Sequence, residues 1–216
     1  MKHLISIVLF VFGAMQGISQ QAEETVYTFS NGDIHVNENF KTCSNIGDIA
    51  GITPFKEIGT AVFTANSQSY RLKTLNFNGW RGDGGNFRIV RLYNNANMLL
   101  EFIDDYAWRD PFSEFKESIS QFASFNDYCI VYPLENNATA LIFEGFSWGS
   151  QVPLLTIIII KNNNAKVVFN QSLAVQKFSA AMKGFQLTLI DDFEAPQNIY
   201  KLYTTSEGTM KFTKVE

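Results

Sequence analysis

Residues 153–160 read PLLTIIII, an almost unbroken apolar run that Pro153 opens and Lys161 closes. A strand with one wet face alternates apolar and polar residues, because successive side chains point to opposite faces. Only Thr156 interrupts this run, so both faces of the strand must be dry. Left exposed, such a row of β-forming residues would pair with other chains. The stretch therefore predicts a central strand buried on both faces.

Working outward, strand-length runs rich in Val, Ile, Thr, Phe and Tyr recur at 25–30, 60–65, 69–77, 86–93, 97–103, 128–133, 138–146, 165–170, 184–190, 199–204 and 209–215. Asn94-Asn95-Ala96 and Asn162-Asn163-Asn164 are turn-prone connections, because Asn tolerates positive φ. Turns this short make antiparallel hairpins, since a parallel crossover takes a dozen or more residues. A weak repeat sets LNFNG (75–79) beside LIFEG (141–145), each followed by an aromatic, Trp80 or Phe146. Both copies run through a small polar loop into a long apolar strand, then turn at an Asn cluster. A fainter third copy matches Leu202-Tyr203 and Phe212 to Leu92-Tyr93 and Phe102. The chain reads as all-β: a two-layered antiparallel β-sandwich or barrel built from repeated hairpin units, with a small propeller-like arrangement as the alternative. One short covering helix is predicted, capped by Asp110, opened by Pro111 and striped by Phe112, Phe115, Ile119 and Phe122.

The start of the chain reads as a secretory signal peptide, residues 1–19. Lys2 and His3 precede an apolar run from Leu4 to Met15, and Gly17-Ile18-Ser19 supplies the small residues of a cleavage site. The run is too short to span a bilayer, which takes about 20 residues. Residues 20–216 then form a single β-rich domain of about 200 residues. The expected location is exported: periplasmic, cell-surface or secreted. The whole chain has a net charge of −4, and losing Lys2 makes the mature part more acidic still. Nucleic acid would call for a basic face, so it is not an expected partner. No second apolar segment approaches spanning length, so the mature chain is not expected to insert in a membrane. The two cysteines, Cys43 and Cys129, would close a loop of about 85 residues if paired, for about 4 kcal/mol of stabilisation. Two buried free thiols are the other reading, and the sequence leaves both open.

GWRGDGGN (79–86) carries an Arg-Gly-Asp tripeptide but lies between strands. It lacks the helix that a phosphate cradle needs and the several oxygen ligands of a calcium loop, so it reads first as a turn. Trp80 and Trp148 fall in or beside equivalent loops, and Trp108 sits in a third loop-like segment. Tryptophan in such loops either plugs the core or offers a stacking platform. As a platform, Trp80, Trp108 and Trp148 beside Arg81, Asp83, Tyr106 and Arg109 would suit a glycan or a peptide. Catalytic residue types are scarce. His35 is the one histidine beyond the leader and has polar neighbours, with no nucleophile motif nearby. Two cysteines and one histidine do not make a structural zinc site, and no cofactor is expected. Asp104-Asp105 and Asp191-Asp192 read as turn residues. An acid pair would need distant segments, for instance Glu144 with Asp105. The expectation is a non-catalytic binding or interaction module for a glycan, a peptide or an envelope protein. The alternatives are a polysaccharide hydrolase using two carboxylates and a structural part of a cell-envelope assembly.

Overall fold

The structure is a computed structural model that describes residues 22–43, 55–77, 89–104, 107–108, 112–146 and 152–215. Along the chain, β1 (Glu24–Ser30) and β2 (Asp33–Val36) form a hairpin. Next, β3 (Phe55–Ala65), β4 (Gln68–Phe77), β5 (Ile89–Asn94) and β6 (Asn97–Ile103) run up and down as a four-stranded first sheet. After β7 (Ala107–Trp108) and α1 (Lys116–Ile119), the strands β8 (Ser124–Phe125), β9 (Ile130–Pro133), β10 (Thr139–Phe146), β11 (Leu154–Lys161) and β12 (Asn164–Ser172) make a middle sheet, ordered β12-β11-β10-β9-β8, with β7 paired to the end of β10. Finally, β13 (Ala174–Ala181), β14 (Gly184–Ile190), β15 (Ile199–Thr204) and β16 (Met210–Val215) form a terminal sheet. The first hairpin extends it, in the order β13-β14-β15-β16-β1-β2. The named strands pair antiparallel throughout, and none of the sheets closes on itself, which removes the barrel reading.

Strand alternation in the middle sheet explains the architecture. In β11, Leu155, Ile157 and Ile159 join one buried cluster, which the terminal sheet completes with Val26, Val175, Phe178, Leu187, Leu189 and Leu202. Ile158 and Ile160 join a second cluster with Ala61, Phe63, Tyr70, Leu72, Val90, Leu92 and Phe102 of the first sheet. The same split runs through β10, where Ala140 and Ile142 face one cluster and Leu141 and Phe143 the other. Each fully buried aliphatic side chain contributes about 1.5–3 kcal/mol, and β11 gains this on both faces. The two layers expected from the sequence are thus corrected to three sheets and two cores. Thr156, the polar break in the run, is fully buried and accepts a hydrogen bond from Asn170 Nδ2 at 2.8 Å. The hydroxyl of Thr42 in turn donates to Asn170 Oδ1. The interior polar groups of this strand pair are therefore partnered, as burial demands.

Asparagine sets the turns. Asn31-Gly32, Asn66-Ser67 and Asn162-Asn163 each place both central residues at positive φ, the geometry of a tight hairpin whose twist matches its strands. The helix is shorter than predicted. Asp110 and Pro111 lie outside the described residues, Phe112 adopts a φ of 54°, and α1 is a single turn beginning at Lys116. The aromatic stripe nevertheless covers a core edge. Phe112 and Ile119 are buried, and the Phe112 and Phe115 rings lie 6.2 and 6.4 Å from that of Phe178.

Candidate ligand pocket at the turn end of the layers

Two hydrogen bonds fix how the first and middle sheets meet. Asn66 Nδ2, in the β3–β4 turn, donates to Asn137 O between β9 and β10 at 2.9 Å. Asn94 Nδ2, at the β5–β6 turn, donates to Asn163 Oδ1 of the β11–β12 turn at 2.8 Å. The tight turns of both sheets therefore lie at one end of the stack. Both β4 and β10 leave from that end, so Phe77 and Phe146 finish at the opposite end, where the Trp108 backbone pairs with Gly145. Those strand ends lead towards the tryptophan-bearing stretches singled out in the sequence. Of the residues named there, Trp80, Arg81, Asp83, Tyr106, Arg109 and Trp148 lie outside the described residues. Trp108 is placed by its backbone in β7.

At the turn end, a pocket of about 420 Å³ is lined by Ser67, Gln68, Ser69, Asn94, Asn95, Asn97, Leu99 and Asn163. Strand parity explains this chemistry. Asn94 follows Val90 and Leu92 on the inward side of β5, and Gln68 precedes Tyr70 and Leu72 on the inward side of β4. Each puts a carboxamide where the core opens to water. Asn94 is only 8% exposed. Its amide donates to Gln68 Oε1 at 2.7 Å and to Asn163 Oδ1, and its own Oδ1 accepts from Asn95 Nδ2 at 3.1 Å. The Tyr70 hydroxyl donates to Gln68 Oε1 at 3.2 Å. Both amide protons and the carbonyl of Asn94 are thereby engaged, which locks its orientation. Around this fixed hub stand further amides and two serine hydroxyls, able to donate and to accept. The lining holds no ionisable side chain, so its recognition chemistry is neutral and directional. Sequence reading took Asn94, Asn95 and Asn163 as turn residues only and put Asn97 at the start of a strand. The missed signal was a polar amide at an inward-facing strand position.

The other named groups fall into structural roles. His35 is exposed on β2, opposite Thr28. Asp191 accepts the backbone N–H groups of Gln197 and Asn198, and the Asn198 amide chiefly holds its carboxyl below the usual range. Asp192 accepts from Glu194 and Ala195, so both aspartates organise one loop, the turn role read from the sequence. Asp104 is buried, while Asp105 lies outside the described residues. Glu144 differs. Burial, with the charge of Glu114 nearby, pushes its carboxyl up to about 7, against a hydrogen bond from the Val175 backbone.

Both cysteines are free thiols, Cys129 buried and Cys43 half-buried. Cys43 shares a small depression with Phe102 and Val167 of β12, whereas Cys129 immediately precedes β9. Three strand spacings separate β12 from β9, about 14 Å, and a disulfide needs Cα atoms within about 7 Å. Among the described residues no group of three His, Cys, Asp or Glu side chains is placed to hold a metal, and no helix is long and apolar enough to cross a membrane. Comparison with protein-family models, with characterised proteins and with solved structures finds no match, so the pocket is read from its own geometry.

Proposed function

We propose that this chain is an exported, non-catalytic module that binds a hydroxyl-rich ligand, a glycan, in the amide-lined pocket. The observation that carries this reading is the uncharged lining of carboxamides and hydroxyls organised around the locked Asn94. Sugar hydroxyls both donate and accept, and amides on rigid strand ends match them without the cost of ordering long charged side chains. The volume falls within the usual range of small-ligand sites, about 300–1,000 Å³. The scaffold belongs to the same reading. Three successive four-strand meanders, β3–β6, β9–β12 and β13–β16, suit a repeated hairpin unit stacked as layers.

The test is titration of the isotopically labelled chain with a glycan panel, following the side-chain amide resonances of Gln68, Asn94, Asn95, Asn97 and Asn163. A binding glycan should shift these resonances, and Gln68→Ala should weaken it at least tenfold. Because nothing in the lining ionises, affinity should hold constant between pH 5 and pH 8. A panel that leaves every one of these amides unmoved would refute the reading. A second reading, polysaccharide hydrolysis by two acids, is favoured by Glu144 alone, whose raised carboxyl suits a proton donor. Release of reducing sugar that disappears in Glu144→Gln would establish it instead.

A further inference from the structure

We propose that the amide pocket is one of two joined subsites, an inference that rests on its reading as a glycan site. The ligand is then a neutral oligosaccharide that crosses the β3–β4 turn into a second groove. β3 packs on β9 and ends its sheet, whereas the middle sheet runs one strand further, to β8. The segment leading into β8 therefore stands beyond the edge of β3, and a groove of about 290 Å³ lies between them. Its lining includes Asn66, Ser120, Gln121, Ser124 and Thr139, with Phe122 and Val131 in its apolar part. No residue of the lining carries an ionisable side chain. The chemistry is that of the amide pocket: neutral groups that donate and accept, here beside an aromatic ring suited to the carbon face of a sugar.

Thr139 is the group that calls for a ligand. It shares the parity of Leu141 and Phe143 on β10, so it faces the first sheet, and it is 2% exposed. Among the described residues its hydroxyl has no hydrogen-bond partner, a state that buried polar groups rarely keep. A sugar hydroxyl in the groove supplies that partner. Asn66 is ordered in advance: its Nδ2 donates to Asn137 O at 2.9 Å, which leaves Oδ1 to accept. Covalent geometry makes the two sites neighbours. Asn66 lines the groove, and Ser67, next to it in the same tight turn, lines the amide pocket. Consecutive Cα atoms lie about 3.8 Å apart, and both turn residues are exposed. One chain of sugars therefore passes over the turn from one site to the other.

The test titrates gluco- and manno-oligosaccharides, from disaccharide to hexasaccharide, into the isotopically labelled chain. Disaccharides should shift the side-chain amides of Gln68 and Asn94 alone. Longer members should also shift those of Asn66 and Gln121 and bind about tenfold tighter, the gain from one further set of hydrogen bonds. Thr139→Val keeps the shape and removes the unpartnered hydroxyl. It should unfold at no lower temperature than the parent and weaken the hexasaccharide about fivefold, with the disaccharide unchanged. Gln121→Ala, at an exposed position, should act in the same direction. Shifts at Gln68 and Asn94 that never extend to Asn66 and Gln121, or an affinity indifferent to length, would overturn the second subsite and leave the pocket reading standing. A series that moves none of the four amides would overturn both.

Discussion

Glu144 is an acid whose surroundings work against its charge. It follows Ile142 on the face of β10 turned towards the terminal sheet, and desolvation there outweighs the hydrogen bond from Val175. Its folded carboxyl titrates near 7, against 4.5 ordinarily. Between those values the folded chain holds a proton that the unfolded chain releases, so the group's contribution to stability is lost as pH rises towards 7. The shift corresponds to at most about 3 kcal/mol. Glu144→Gln should therefore stabilise the protein by about 2–3 kcal/mol at pH 8 and hardly change it at pH 4. Urea unfolding at the two pH values measures this, and a variant with the same offset at both would contradict it. The sequence could name Glu144 as an acid on a strand. It could not show that β13 would cover it, because that contact joins residues 31 positions apart in the chain. The carboxamides of Gln68 and Asn94 were readable in principle, since each occupies an inward-facing place in an alternating strand.

Elements were legible wherever the signal was local. The asparagine turns followed from the tolerance of Asn for positive φ, and Asn162 and Asn163 adopt it at 50° and 59°. Asn162→Gly should leave stability within about 0.5 kcal/mol, because glycine takes this conformation freely. Asn162→Val should cost about 1–2 kcal/mol, because a β-branched side chain is strained there. Equilibrium unfolding that finds the two substitutions alike would count against the turn geometry. The helix failed for a related reason. Periodicity reports which side chains share a face but not how many turns carry them, and one turn plus the loop at Phe112 suffices to bring Phe112 and Phe115 onto Phe178 and to bury Ile119 in the same core. The expectation of export rests on residues 1–19, which lie outside the described residues, as does most of the aromatic platform read from the sequence.

At the scale of the whole molecule, the apolar run of β11 announced two dry faces but not what would cover them. Two layers can bury one face of each sheet, and a strand dry on both sides demands a third. That consequence needed the partners of β11, which come from the two flanking sheets, β3–β6 on one side and the terminal hairpins on the other. The stack in turn places the turns of the first and middle sheets together and makes the amide pocket. Ile157 and Ile158 are adjacent in β11 but belong to different cores. The most direct test is therefore the pair Ile157→Ala and Ile158→Ala, compared by urea unfolding. Each should lose about 2–5 kcal/mol, and a loss below about 1 kcal/mol in either one would mean that its face is open and the three-layered stack is wrong.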